Sequence, residues 1–298
     1  MNAMPGDDAV YRVDKRQAKR AFERAAATYD AAAALQLEVG ARMMERLDLI
    51  RLQPARILDL GAGTGEFTRA LMRRYRKAEV VALDLALTML HHTRRRGGWF
   101  RRPGCVCGDA ERLPFADGSF QFIFSNLMLQ WCQDLDAVFT ELRRVLAPGG
   151  LLMFTTLGPD TLGELRASWR AVDGYTHVNP FIDMHDVGDA LLQTDWAEPV
   201  MDTERLTLTY RDLATLMFDL KHLGAHNVTR GRARGLTGKR RFQAFTTAYE
   251  AFRCDGVLPS TYEVIYGHAW SPQQPGAAVA VPLVPPRRQS PTGVSGND

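Results

Sequence analysis

Residues 55–157 alternate regularly between short apolar stretches and amphipathic stretches. The segments ARILDL, AEVVALD, FQFIFSN and LLMFTTL are typical of buried strands, and GCVCGDA is short and strand-like. Between them, EFTRALMRRY, LALTMLHHTRRR and LDAVFTELRRVL have the hydrophobic spacing of helices. Successive parallel strands need a crossover, which is usually a helix. The alternation therefore predicts an α/β fold, with a doubly wound, mostly parallel sheet covered by helices on both faces.

The sequence on either side of this core predicts additional elements. A stretch rich in Ala, Arg, Glu and Leu precedes the core and predicts N-terminal helices. Helical patterns after the fifth strand predict a cap, in which AEPVMDTERLTLTY is interpreted as a pair of short strands. The sequence predicts a single domain (14–270) between a disordered N-terminus (1–13) and a disordered tail (271–298). Within the domain we expect, in chain order, a helical lid (14–50), the α/β core (51–157), a cap with edge strands (158–258) and a last strand (259–270).

The composition narrows the class of protein without identifying it. The net charge of +3 over 298 residues is too small to indicate a partner. The first twenty residues have no apolar core, so they do not form a secretory signal, and no apolar run approaches the ~20 residues of a membrane span. The four cysteines suggest neither a disulfide framework nor a metal site. We therefore expect a cytoplasmic protein with reduced cysteines and without a metal.

A glycine-rich turn follows the first strand in ILDLGAGTG, with glycines at Gly61, Gly63 and Gly65. In an open parallel sheet, ligands bind beyond the carboxyl ends of the strands. A dinucleotide fingerprint needs a small residue at its sixth position, and that position is Glu66 here; the lysine of a phosphate-binding loop is also absent. The turn thus predicts a nucleotide-like ligand that is not a dinucleotide, and a tight turn without a ligand remains the alternative.

Three acidic residues lie at the carboxyl ends of three consecutive predicted strands. Asp84 ends the second strand, where a carboxylate can accept hydrogen bonds from both hydroxyls of a ribose. Asp109 follows the third strand, where a carboxylate can accept the amino group of a purine. Asp59 precedes the glycines and can either support the turn or face an ammonium group. Each acid alone is more often a solvated loop residue, but together they favour a nucleoside site.

Taken together, ILDLGAGTG, ALD, GDAERLPF and LRRVLAPGGLLMFTT resemble class I S-adenosylmethionine-dependent methyltransferases, over about residues 50–157. The resemblance implies S-adenosyl-L-methionine as the cofactor. In that family the glycine turn lies against the methionine part, the second-strand acid holds the ribose, and the third-strand acid meets the adenine. The cofactor-binding residues implied for this chain are Asp59, Gly61, Ala62, Gly63, Gly65, Asp84, Leu85, Asp109, Ala110 and Asn126.

The segment after the fourth strand argues against a nucleic-acid base as the methyl acceptor. Enzymes that methylate the amino groups of DNA or RNA bases usually carry an Asn/Asp-Pro-Pro-Tyr/Phe element there. This chain has SNLMLQW at that place, without a proline.

Segments outside the core are similar to the malonyl-acyl-carrier-protein O-methyltransferases of biotin synthesis. They are AFERAAATYDAAAALQ, SNLMLQWCQDL, TTLGPDTLGELRASW, LKHLGAHN and LPSTYEVIY, so that the similarity covers about residues 15–270. It implies methylation of the free carboxylate of a malonyl thioester on an acyl carrier protein or on coenzyme A, towards pimelate. Relatives in respiratory complex I assembly share two of these segments, and some hydroxylate a protein arginine. That alternative stays open, although Tyr29 in FERAAATYD favours the methyltransferase.

Candidate residues for the acceptor side follow from the chemistry of a buried carboxylate, which needs a partner. Arg166 and Lys221 lie on predicted cap helices and are candidates to pair with it, although Lys and Arg are more often solvated. Tyr29 is expected to cover the methyl group, and Gln130 and Trp131 to line the acceptor pocket. Further candidate cations in the N-terminal helices are Arg16, Lys19 and Arg20.

A basic run in the cap predicts a docking surface for an acidic partner. Residues 221–241 contain Lys221, Arg230, Arg232, Arg234, Lys239, Arg240 and Arg241 and no acid. Acyl carrier proteins are strongly acidic, so this charge would raise their association rate. RNA would be attracted as well, but the run has no interleaved aromatic residues, which weakens that interpretation. We expect neither a nucleic acid nor a membrane as a partner.

Overall fold

The computed structural model describes residues 13–98, 101–224 and 237–273. Most of the two segments predicted to be disordered lies outside these residues. The part of each that is described is bonded to the domain. Val13 is buried and its carbonyl accepts a hydrogen bond from Gln133 Nε2 at 2.6 Å. Ser271 exchanges backbone hydrogen bonds with Gly149 and Gly150, each at 2.9 Å.

The described elements follow one another in the predicted order. Before and within the core they are α1 (Lys15–Ala25), α2 (Tyr29–Ala32), α3 (Ala34–Arg46), β1 (Arg56–Leu60), α4 (Glu66–Arg74), β2 (Glu79–Asp84), α5 (Leu87–Arg96), β3 (Gly104–Cys107), β4 (Phe120–Ser125), α6 (Leu135–Val145) and β5 (Leu146–Leu157). After the core they are α7 (Gly163–Arg170), α8 (Met184–Gln193), β6 (Ala197–Tyr210), α9 (Leu213–His222), α10 (Lys239–Glu250) and β7 (Leu258–Trp270).

The strands form one sheet with the order β3-β2-β1-β4-β5-β7-β6. Strands β1 to β5 are parallel, whereas β7 is antiparallel to both β5 and β6. The chain runs outward from β1 to β3 and then returns to the other side of β1 with β4. Such a reversal opens a crevice at the carboxyl ends of β1 and β4, which is where ligands bind in sheets of this kind. The predicted doubly wound, mostly parallel α/β fold is confirmed.

Alternate side chains of the strands supply the two halves of the core. Ile57, Phe122 and Phe124 lie on the face that packs against α3, α4, α7, α9 and α10. Leu58 and Ile123 lie on the opposite face, which packs against α6 and α8. The central strands are buried on both faces, which explains why their sequences are apolar without alternation.

The prediction of two short strands at 197–210 is wrong. This segment is one strand, β6, and its residues from Val200 to Tyr210 pair continuously with β7. Exposed and less exposed residues alternate along most of β6, as expected of an edge strand that is packed on one side. Pro199 lies where the register shifts between Ala197 and Val200, and a proline is tolerated there because no regular ladder bond is lost.

Strand β1 carries a buried carboxyl group at Asp59, which is 2% exposed. The Thr68 hydroxyl on α4 donates a hydrogen bond to it, so the side chain ties the strand to the helix that follows. Burial, with the nearby Asp84 carboxylate, raises the pKa of Asp59 from 3.8 to about 7, against the opposing effect of the Thr68 hydrogen bond. The folded protein therefore holds a proton here that the unfolded chain has already lost.

Replacing Asp59 with Asn should change how stability depends on pH. Between about pH 4 and pH 7 only the folded wild type binds this proton, so its stability falls as the pH rises through this range. Asparagine keeps an acceptor for Thr68 but has no such proton. Urea unfolding at about pH 5 and about pH 8 should show wild type losing stability relative to Asp59→Asn at the higher pH.

The matched control for this experiment is Asp136→Asn, which removes a carboxylate from an exposed position of α6. The difference in unfolding free energy between Asp136→Asn and wild type should not change between the two pH values in the way expected for Asp59→Asn. An Asp59→Asn difference that is equal at both pH values would contradict a raised pKa at this carboxyl.

Candidate functional site

A cavity lies at the carboxyl ends of β1, β2 and β4, in the crevice that the strand order predicts. Leu60, Leu83 and Asn126, at or just beyond the ends of these strands, line its floor. The N-terminal helices cover it with Phe22 and Tyr29. The crevice is thus closed over by the helices that were predicted as a lid.

The glycine turn after β1 forms one wall of the cavity. Gly61 and Gly63 line it, and Gly61, Gly63 and Gly65 have φ values of 73°, 55° and 87°, which disfavour other residues. A Cβ at Gly61 would lie 2.3 Å from Cγ of Met128, which also lines the cavity. A Cβ at Gly65 would instead lie 2.7 Å from Cα of Thr93 on α5. Gly61 thus makes room beside the site, whereas Gly65 permits close packing of a helix.

Asp84, the last residue of β2, is bonded to this turn. Its carboxylate accepts backbone hydrogen bonds from Gly63 at 2.9 Å and from Ala86 at 2.8 Å. Burial raises its pKa, and these two bonds act in the opposite direction. Asp84 and its neighbour Leu85 both line the cavity, so the carboxylate is held by the backbone and faces the space where a ligand would bind.

Asp109 also lines the cavity, together with Ala110, but it has a partner that the sequence did not indicate. The Lys15 ammonium lies 2.8 and 2.7 Å from the two Asp109 oxygens and 2.6 Å from Glu111 Oε2. Burial lowers the pKa of Lys15, but the bonds to these two carboxylates outweigh it and raise the pKa. Lys15 lies at the start of α1, and nothing in its spacing distinguishes it from its basic neighbours.

Tyr29 and Gln36 approach the glycine turn from the lid. Tyr29 lines the cavity next to Gly63, and burial beside the Asp84 carboxylate raises the pKa of its phenol. Gln36 also lines the cavity, and its Oε1 is buried without a hydrogen-bond partner within the described structure. Asn126 Nδ2 donates to the Gln36 carbonyl at 2.9 Å, and Asn126 Oδ1 accepts from Thr155. Asn126 therefore joins the lid to the sheet.

The far end of the cavity is formed by elements after the core. Tyr210, Asp219 and Tyr262 line it from β6, α9 and β7. Burial raises the pKa of both phenols, that of Tyr262 to about 12, so both are donors at neutral pH. Gln130 and Trp131 line the cavity as predicted, and Trp131 packs edge-on against Phe22 at 4.9 Å between ring centroids.

Several predicted residues do not line this cavity. Asp59 is buried within the fold, and neither it nor Ala62 nor Gly65 is among the lining residues. Arg166 lines a neighbouring cavity and donates to the carbonyls of Pro159 and Thr161, each at 2.8 Å. Lys221 is exposed on α9. The candidates Arg16, Lys19 and Arg20 do not line the cavity either, and Lys15 is its only lining Lys or Arg among the described residues.

The basic run is only partly described. Arg230, Arg232 and Arg234 lie outside the described residues, whereas Lys239, Arg240 and Arg241 begin α10. Within the described ranges, no group of three or more His, Cys, Asp or Glu side chains is placed to hold a metal ion. The helices of the described part include none with the length and apolar character needed to cross a membrane.

The chain matches known methyltransferases in sequence. Residues 58–154 match the family model of a methyltransferase domain. A malonyl-acyl-carrier-protein O-methyltransferase of Gallionella capsiferriformans (strain ES-2) is 52% identical over 277 residues, covering 90% of this chain and 96% of that protein. A protein of the same name from Laribacter hongkongensis (strain HLHK9) is 54% identical over 273 residues, covering 89% of this chain and 92% of that protein.

Solved structures share the fold. The YcgJ protein of Bacillus subtilis matches with a TM-score of 0.55 at 16% identity, covering 79% of this chain and 98% of that one. A SAM-dependent methyltransferase from Thermotoga maritima matches with a TM-score of 0.51 at 14% identity, covering 85% of this chain and 99% of that one. These structures show the fold, and the close relatives in sequence confirm both resemblances inferred from the motifs. The chain belongs to the malonyl-acyl-carrier-protein O-methyltransferase family, and with it to the class I methyltransferases that use S-adenosylmethionine.

Proposed function

We propose that this protein methylates the free carboxylate of a malonyl thioester, with malonyl-acyl carrier protein as the acceptor. The methyl ester would enter fatty-acid elongation towards pimelate and biotin. The high identity to relatives of that name over nearly their whole length carries the proposal. Malonyl-coenzyme A is the second acceptor to test, because it presents the same carboxylate. We further propose a cytoplasmic location, which the four unpaired cysteines support.

The residues around the cavity fit S-adenosylmethionine, whose ribose hydroxyls and ammonium group are hydrogen-bond donors. We propose that Asp84 accepts the ribose hydroxyls and that Asp109, with Ala110 beside it, meets the adenine. The orphaned Gln36 Oε1 is a buried acceptor in the same cavity, and such an atom is costly unless a ligand supplies a donor. The turn formed by Gly61 and Gly63 leaves room for the methionine part.

The remaining predicted cofactor residues would act through packing. Ala62 and Gly65 shape the turn, Asp59 ties it to α4, and Leu85 lines the wall next to Asp84. Asn126 positions the lid, because its amide bonds to the backbone of Gln36.

The acceptor needs no general base in this reaction. A malonyl carboxylate is ionised at neutral pH and is already a nucleophile. S-adenosylmethionine, when bound, supplies a methyl group on a positively charged sulfur, and this charge is opposite to that of the acceptor. The chain has to align the carboxylate and exclude water, and the apolar lid and the phenols of Tyr29 and Tyr262 suit that task.

The role predicted for Arg166 or Lys221 as the partner of the malonyl carboxylate stays a prediction. Arg166 lies in the neighbouring cavity, and its guanidinium already donates to two backbone carbonyls. Lys221 would have to reach the cavity past Leu220 and Leu223, which do line it.

Mass spectrometry of the acceptor tests the proposed reaction. Malonyl-acyl carrier protein incubated with enzyme and S-adenosylmethionine should gain one methyl group that esterase treatment removes. Acetyl-acyl carrier protein lacks the free carboxylate and should remain unchanged. Methylation of neither malonyl-acyl carrier protein nor malonyl-coenzyme A would contradict the proposal, and hydroxylation of a protein arginine would support the alternative.

Removing the Asp84 carboxylate should weaken cofactor binding. Asp84→Ala deletes a charged acceptor from the ribose, so affinity for S-adenosylmethionine should fall by roughly 10- to 1,000-fold in calorimetry. Because Asp84 also accepts from Gly63 and Ala86, thermal unfolding should be compared with that of Asp84→Asn, which keeps one acceptor. Unchanged affinity in the folded Ala variant would remove Asp84 from the site.

Gln36→Leu should have opposite effects on stability and on cofactor binding. In the free enzyme, leucine replaces a buried acceptor that lacks a partner, so the variant should unfold at the same or a higher urea concentration. Affinity for S-adenosylmethionine should nevertheless fall by about fivefold or more, since the cofactor loses an acceptor. The Gln36 carbonyl that binds Asn126 is retained. Unchanged affinity would show that Gln36 Oε1 does not contact the cofactor.

A further inference from the structure

A second cavity lies beside the first, along α7. Arg166, Arg170, Tyr175 and His177 line it, and Phe181 lines both cavities. Trp169 packs beneath it in a stack, with ring centroids 3.8 Å from His177 and 4.1 Å from Phe245. The second cavity is therefore a built, aromatic-lined space that adjoins the proposed site of methyl transfer.

Positive charge in the second cavity lacks a matching negative charge. Among the described residues, neither Arg166 nor Arg170 forms a salt bridge, and the two guanidinium groups repel each other across one helical turn. Asp160 is the acid that acts on Arg166, but its carboxylate is paired with Arg205.

The acid that lines the cavity is also already paired. Asp173 bonds to His177 at 2.8 Å and to Arg241 at 3.1 Å. The segment 225–236, outside the described residues, contains no Asp or Glu that would supply another partner. Arg166 is half-buried and Arg170 is exposed, so an anionic group that enters the second cavity from solvent can contact both guanidinium groups.

Helix α7 sets the spacing between the two cavities. Leu162, the residue before the helix, lines the first cavity, and Arg170, the last residue of the helix, lines the second. Eight residues of α-helix rise ~12 Å. The pantetheine arm of a carrier protein or of coenzyme A joins a phosphate to a sulfur. The arm contains as many bonds as about four extended residues, which span ~14 Å. An arm with its thioester in the first cavity can thus place its phosphate in the second.

We propose that Arg166 and Arg170 bind the phosphate at the end of the pantetheine arm, and that the arm passes Phe181 on its way to the first cavity. This inference rests on the proposed function, since it assigns the route by which the malonyl thioester enters. In this proposal Arg166 binds the phosphate, which does not react, instead of the malonyl carboxylate.

Acceptors with and without the phosphate test this assignment. Malonyl-pantetheine and malonyl-4′-phosphopantetheine carry the same carboxylate and thioester and differ only in that group. With wild type, the phosphorylated acceptor should have a KM lower by about tenfold, at similar kcat. Arg170→Gln should raise the KM for the phosphorylated acceptor by about tenfold and leave malonyl-pantetheine within about twofold of wild type.

The matched control is Arg51→Gln, which removes the same charge from an exposed position before β1, at the opposite end of the parallel strands. It should leave the KM for both acceptors unchanged. Arg166→Gln is the second variant, with thermal unfolding measured in parallel because Arg166 also bonds to the Pro159 and Thr161 carbonyls. A loss confined to the phosphorylated acceptor supports the proposal. An equal loss with both acceptors overturns it and assigns Arg166 to the carboxylate or to the loop.

Comparing the carrier protein with coenzyme A as the source of the phosphate distinguishes binding of the phosphate from contact with the carrier protein's surface. Malonyl-acyl carrier protein and malonyl-coenzyme A carry the phosphate at the same place on the arm, so Arg170→Gln should impair both. Impairment with the carrier protein alone would overturn the phosphate assignment and indicate contact with the protein surface. Failure of the proposed function would look different, since wild-type enzyme would then methylate none of the four malonyl thioesters.

Discussion

The reversal of strand order between β1 and β4 is the constraint on which the site depends. It leaves the carboxyl ends of both strands open to one crevice, and the glycine turn, Asp84 and Asp109 are all held at that edge. The turn after β1 has to bend sharply there without placing side chains against Met128 or α5. Glycine at positions 61 and 65 meets this requirement, and the backbone of Gly63 is then free to bond to Asp84. The turn, the acid and the helix behind them form one interdependent unit.

Charge in the cavity fits the proposed transfer from sulfur to a carboxylate. Asp84, Asp109 and Asp219 line it, whereas Lys15 is the one cationic side chain of the described part that does so, and it is already bonded to Asp109 and Glu111. Such a cavity favours a positively charged cofactor, and the acceptor's negative charge is matched by the cofactor itself. Transfer converts this pair of opposite charges into two neutral groups, which a space shielded from water favours.

The parts of this site that could be predicted are those determined locally. Glycines and acids that directly follow strands must lie at the edge of a parallel sheet, so Gly61, Asp84 and Asp109 could be placed from spacing alone. Lys15 and Gln36 enter from helices whose orientation depends on tertiary packing, and no local pattern marks them. Tyr210 and Tyr262 likewise reach the cavity only because β6 and β7 pair in one register. The segment of β6 contains a proline and several charges, and its long pairing with β7, which no local pattern indicates, holds it as one strand.

Strand β7 lies inside the sheet, between β5 and β6, although it comes after both along the chain. Its place must stay open until residues 258–270 have left the ribosome. Until then β5 has an unpaired edge of apolar residues, and β6 has no neighbour in the described sheet to bond to. A nascent chain that ends before residue 258 therefore exposes an edge prone to aggregation, because β7, the strand that joins β6 to the rest of the sheet, has not yet been made.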